Sequence, residues 1–302
     1  GSRLWDKVAG QYVPDGVLKT WISGRLSGAP KCKVKHTVST DAGHFVALGD
    51  SYSSGEGAGD YLPNLSFRSK PCDRSVYAWS RSLRDAWLPP RTMSEASDFL
   101  ACQGDVTSDV LSKQIPHMRR RATAVTITIG GNDMGFSSII KACLANFDCP
   151  KAVRNHFGPI AREKSTGKLR ALAAKLRKTY VAIRRRAPHA TVVVVGSPDV
   201  VGSHIDGCFG LSDGDLPMLH LAEKRLNDTI HSVVRARGKN FHFVSLSGVF
   251  AGHEACTGLP DPWINTPDHL EYYREYFHPN YEGQQAIAAA VKHKLPKLFS
   301  QI

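Results

Sequence analysis

Long hydrophobic runs are missing from this 302-residue chain, so no segment reads as a membrane span. No Cys-x-x-Cys pair occurs, which removes thioredoxin-like redox chemistry and zinc-ribbon sites. His253-Glu254 lacks the second histidine of a metalloprotease helix. The glycines at 55, 57 and 59 lack the lysine of a nucleotide-binding loop and read as a flexible loop. No Gly-x-Ser-x-Gly elbow is found. No catalytic metal and no cofactor are expected. Zinc-finger spacing and aromatic ribonucleoprotein motifs are also absent, so the formal charge of +12 carries no sign of nucleic-acid binding. The charge clusters at Arg119–Arg121 and Arg184–Arg186 and reads first as solvated helix surface, with transient contact to a membrane surface or anionic polymer as the functional alternative. No signal-peptide pattern opens the chain, and Gly1-Ser2 reads as a cloning remnant, so a native segment is expected to have preceded it.

Cysteine is present in number. Seven is many for a reducing cytosol, and oxidised pairs in a secreted protein are the better expectation. An odd count leaves one thiol free or paired outside this chain.

Residues 1–43 carry scattered Gly, Pro and Lys with little periodicity beyond a short helix expected at 17–22, and read as a lead-in or linker. From residue 44 to 302 strands and helices alternate as one domain. Strands are expected at 44–48, 98–102, 124–130, 190–196 and 241–246, with 190–196 apolar on both faces as in a covered central strand. Helices are expected at 75–87 and 160–187. Leu219, Ala222, Leu226, Ile230 and Val233 mark another, and Ile287, Val291, Leu295 and Leu298 mark the last. This alternation predicts an α/β fold, a three-layer α/β/α sandwich around a central parallel sheet.

In such a sheet ligands bind beyond the carboxyl ends of the strands. Ser51 follows the first strand in "FVALGDSYSSGEG", Gly104 follows the second, and Asn132 follows the third in "GGND". A serine needs a base to become a nucleophile, and His278 in "EYFHPN", just before the last helix, is the best placed. Glu275, three residues earlier, can reach its ring by carboxylate or by backbone carbonyl. The Ser51 and Gly104 N–H groups and the Asn132 amide supply oxyanion donors. Asp50 reads as a turn or helix-cap residue rather than a catalytic acid.

These motifs, in this order, resemble the SGNH or GDSL hydrolase superfamily, of flavodoxin-like fold. The four residues of its name match Ser51, Gly104, Asn132 and His278, and the match spans residues 45 to about 290. "DPWIN" at 261–265 and the cysteine layout are similar to its secreted actinomycete branch. The resemblance implies disulfides Cys72–Cys102, Cys143–Cys149 and Cys208–Cys256, leaving Cys32 over. It departs from the family's Asp-x-x-His by placing Glu275 at the acid position. It implies a secreted, monomeric serine esterase acting on a small-molecule or lipid ester, lipase- or phospholipase-like, by an acyl-enzyme route. A carbohydrate O-acetyl esterase and a non-catalytic cell-wall binding module are the alternatives.

Overall fold

The computed structural model describes residues 5–8, 11–14, 44–87, 95–136, 149–162, 167–205, 211–266 and 273–296. The chain divides into two compact units, Gly1–Ala42 and Gly43–Ile302. In the first, β1 (Trp5–Val8) and β2 (Gln11–Pro14) form an antiparallel hairpin that the sequence reading did not foresee. The helix expected at 17–22 lies outside the described residues.

The second unit is built on β3 (His44–Gly49), β4 (Ala122–Thr128), β5 (Thr191–Pro198) and β6 (Phe241–Leu246). They form a four-stranded sheet in that order, parallel throughout. Val192–Val195 are buried, as a β-branched run covered on both faces requires. The strand expected at 98–102 is shorter than the pattern implied. Only Phe99 bridges Ala47, and Leu100, Ala101 and Cys102 donate their N–H groups to carbonyls of Ala47 and Gly49. The segment therefore extends the sheet beyond β3 for little more than a residue before turning away.

Helices α1 (Ser51–Ser54) and α2 (Trp79–Trp87) follow β3. Between β4 and β5 lie α3 (Cys149–Arg162) and α4 (Gly167–Arg186), where the sequence reading expected one helix from 160 to 187. The apolar stripe of α4 is as expected: Leu169, Leu172, Leu176, Tyr180 and Ile183 are all buried, each aliphatic side chain contributing roughly 2 kcal/mol. Helix α5 (Leu216–Arg235) buries Ala222, Leu226, Ile230 and Val233 beneath it, and α6 (Tyr281–Lys294) buries Ile287 and Val291. Leu295 falls just past the end of α6, and residue 298 lies outside the described residues. Among the described residues no helix is long and apolar enough to cross a membrane.

Candidate active site

The end of β3 turns sharply at Gly49. Its φ is +125°, and a Cβ there would be driven into the Thr128 carbonyl oxygen, so only glycine fits. Asp50 then caps α1: its Oδ1 accepts the Tyr52 N–H at 3.2 Å and the Thr128 hydroxyl at 2.7 Å. Burial raises its pKa to about 7, against the opposing pull of the Thr128 and Tyr52 hydrogen bonds. It is thus a structural cap, as the sequence reading held. Ser51 occupies the first position of α1, where the helix N-terminus favours developing negative charge.

A buried glutamine braces this turn from below. Val110–Gln114 is a π-helical turn that carries Gln114 under β3. There Gln114 Oε1 accepts the Gly49 N–H at 2.9 Å and its Nε2 donates to the Gly49 carbonyl and to Asp105, both at 2.8 Å. Asp105 also takes the Arg68 guanidinium at 2.5 Å. Gly104, at φ +67°, sits between this braced aspartate and the Cys72–Cys102 disulfide. Asn132 Nδ2 donates to the Asp105 carbonyl at 3.1 Å, while Asp133 accepts the Thr107 N–H at 2.8 Å and the Thr107 hydroxyl at 2.7 Å. The Gly104 and Asn132 loops are therefore tied to each other by hydrogen bonds at both ends.

His278 lies 2.8 Å from the Ser51 oxygen through Nε2. Its Nδ1 meets the Tyr276 carbonyl at 3.0 Å, and since a carbonyl only accepts, Nδ1 carries the proton and Nε2 the lone pair. Burial pulls its pKa from 6.5 to about 4, despite the carbonyls of Tyr276, Glu275 and Arg274. Of the two routes open to Glu275, the backbone faces the histidine and the carboxylate is engaged elsewhere. The Glu275 carboxylate accepts the Tyr61 hydroxyl at 2.6 Å, and its carbonyl accepts the backbone N–H of His278 at 3.2 Å. The carbonyl in hydrogen-bond contact with Nδ1 belongs to Tyr276, and Phe277, the residue between it and His278, adopts φ +61°.

Residues that sequence reasoning passed over complete the histidine's surroundings. Beside the 264–279 bridge the Asn265 N–H donates to the His278 carbonyl and the Phe277 N–H donates to the Asn265 carbonyl, both at 2.9 Å. Asn265 Nδ2 reaches the Gly57 carbonyl at 2.9 Å, and Asn280 Nδ2 reaches the Pro262 carbonyl at 2.7 Å. "DPWIN" is thus a clamp on the histidine loop. The Tyr52 hydroxyl holds the Phe277 carbonyl at 2.7 Å. The glycine-rich stretch after Ser51 is packed rather than the loose loop expected, with Gly55, Glu56 and Gly57 all buried. Glu56 Oε2 lies 3.5 Å from His278 Nε2. Burial, helped by the neighbouring Asp73 charge, raises its pKa to about 8. With a protonated acid facing a neutral imidazole, this contact is not an ion pair at neutral pH.

An apolar cavity of about 150 Å³ opens at Ser51, Asn132 and His278 and runs between β5 and α5, past Phe157, Leu226 and Ile230. Of the expected disulfides, Cys72–Cys102 is present, and Cys256 is also disulfide-bonded. Cys32, Cys143 and Cys208 lie outside the described residues.

The depressed histidine pKa has a direct kinetic consequence. Only the neutral imidazole can accept a proton, so the acidic limb of kcat/KM is expected near pH 4 rather than 6.5. Initial rates on p-nitrophenyl butyrate from about pH 3.5 to 8 check this; a midpoint at the ordinary histidine value would contradict it.

Comparison with known proteins gives a consistent family. The model of the GDSL-like lipase/acylhydrolase family matches residues 47–286. Lipase 1 of Streptomyces coelicolor is 35% identical over 263 residues, covering 86% of this chain and 88% of the relative. The extracellular lipase of Streptomyces rimosus superposes with a TM-score of 0.66 at 32% identity, over 83% of this chain and 99% of that one. Phospholipase A1 of Streptomyces albidoflavus does so with a TM-score of 0.66 at 31% identity, over 84% and 99%.

Proposed function

The chain belongs to the GDSL-like lipase/acylhydrolase family and is a carboxylic ester hydrolase, and we propose that it cleaves lipid esters of long acyl chains, with Ser51 as nucleophile and His278 as its base. The observation that carries the substrate class is the apolar cavity beginning at Ser51, for an acetyl group needs no such depth. The lipase and phospholipase A1 names of its relatives agree with it.

In the first step Ser51 passes its proton across 2.8 Å to His278 Nε2 and attacks the ester carbonyl carbon. The N–H groups of Ser51 and Gly104 and the Asn132 amide hold the oxyanion. His278 gives the proton to the departing alcohol, leaving an acyl-enzyme. Water then attacks the acyl carbon, His278 takes its proton and returns it to Ser51, and the free acid leaves. While the ring is charged, its Nδ1–H stays on the Tyr276 carbonyl. Glu56 Oε2, 3.5 Å from Nε2, is the carboxyl group that faces the imidazolium as it forms.

In this reading residues 44–302 are the catalytic domain of a secreted monomer. The +12 charge assists transient approach to anionic lipid surfaces or polymers. Hydrolysis of p-nitrophenyl esters from acetyl to palmitoyl tests the substrate class. The expected kcat/KM rises from acetyl to chains of about eight carbons or more, as methylenes enter the cavity. Activity confined to acetyl esters would instead select the carbohydrate O-acetyl esterase reading. Inertness toward every ester, with binding to cell wall, would select the binding module.

A further inference from the structure

Away from Ser51 and its turn, the apolar wall of the cavity carries a buried carboxyl group. Helix α5 faces the cavity with Leu219, Ala222 and Leu226, and among them, one turn from Leu219, stands Glu223. It is only 6% exposed. The Ser197 hydroxyl, from the end of β5, donates to Glu223 Oε1 at 3.2 Å, and the Val200 N–H also bonds to its carboxyl group. Both Glu223 and Ser197 line the same cavity that begins at Ser51.

A structural duty does not account for the pair. The end of β5 is already fastened to α5 by Asn227, whose Oδ1 accepts the Ser197 N–H at 2.9 Å and whose Nδ2 donates to the Ser197 carbonyl at 3.0 Å, and the loop after it by His220, whose Nε2 donates to the Val201 carbonyl at 3.0 Å. Burial of Glu223, with the Asp199 charge beside it, raises its pKa to about 8. At neutral pH it is a carboxylic acid, able to give one hydrogen bond and accept another. A plain methylene chain passing it would desolvate the acid and the hydroxyl and return nothing.

We propose that Ser197 and Glu223 form a binding point for a neutral oxygen on the acyl chain, a hydroxyl or oxo group, so that oxygenated fatty acyl esters are preferred substrates. The inference rests on the acyl-lipid reading of the cavity. Neutral oxygens are specified because an ionised substituent would be buried against apolar walls. A hydroxyl meets both partners: it accepts from the acid and donates to the serine oxygen. An oxo group takes the acid's proton alone and is held more weakly.

Methyl esters of one acyl length, plain or with a single hydroxyl at successive positions, test this by pH-stat titration at pH 7. The wild type is expected to favour one hydroxyl position over the plain chain by about fivefold to tenfold in kcat/KM, the yield of one well-made neutral hydrogen bond. Glu223→Leu brings that ratio to about one and raises kcat/KM on the plain chain, which a merely structural glutamate would not do. Glu223→Gln, keeping a donor and an acceptor at the same place, retains most of the preference. A wild type that cleaves plain and hydroxylated long chains equally at every position overturns the binding point and leaves the acyl-lipid reading standing. So does a preference that survives in Glu223→Leu. A wild type that cleaves no long-chain ester at all overturns both.

Discussion

Ser51→Ala is expected to lower kcat on p-nitrophenyl butyrate by about 10⁴-fold or more, with the folded state intact. Alanine leaves no oxygen to attack, and what survives is the catalysis that the oxyanion donors and binding alone provide. Folding is spared because the described partner of the Ser51 hydroxyl is His278, and the α1 turn is held by other groups. The Asp50 cap remains, Trp79 Nε1 still donates to the Tyr52 carbonyl at 3.0 Å, and the Ser80 hydroxyl still donates to the Ser53 carbonyl at 2.6 Å. Thermal unfolding should therefore shift by no more than about 3 °C, since one buried hydrogen bond is lost. His278→Ala should cost a similar factor, and the double variant little more than either single one, because nucleophile and base act as a unit. Ser51→Ala turnover within tenfold of wild type would remove Ser51 from the mechanism. Equal losses that simply multiply in the double variant would separate the two residues.

Much of this arrangement is legible in the sequence because it is written in side chains at strand ends. The apolar runs of β4 and β5 place Asn132 and the cavity floor. The Gly-Asp-Ser turn announces itself because Gly49 has no room for a Cβ and Asp50 is a good helix cap. What was not legible depends on backbone groups and long-range contacts. Tyr276 meets His278 Nδ1 through a carbonyl, which every residue owns, so no side-chain pattern marks it. Asn265 reaches Gly57 across 208 residues of chain, and no local pattern marks that pairing. Glu56 was hidden by its glycine neighbours, which suggest looseness until their burial is seen. Gln114 is disguised in the same way, a polar residue beside Lys113 that one π-helical turn carries under β3. Glu223 looks like the exposed face of an amphipathic helix until the cavity beside it is known.

Asn132→Ala is expected to lower kcat by about 10²- to 10³-fold while KM changes little. An oxyanion donor acts on charge that exists in the tetrahedral intermediate and barely in the ground state, so its loss falls on turnover. The geometry holds the Asn132 amide in place. Its Nδ2 gives a hydrogen bond to the Asp105 carbonyl at 3.1 Å, which fixes the plane of the amide. Asp105 is in turn pinned by Arg68 and Gln114, so the amide's position is set before substrate arrives. Preorganisation of this kind avoids reorienting a dipole during the reaction. Asn132→Asp sharpens the test. It preserves size, replaces the donor with an acceptor, and sets a carboxylate where negative charge must develop, so it should be at least as damaging as alanine. Steady-state kinetics on p-nitrophenyl butyrate separate kcat from KM for both variants. A loss seen chiefly in KM would make Asn132 a substrate-binding residue, and a loss under about fivefold would leave the oxyanion to Ser51 and Gly104 alone.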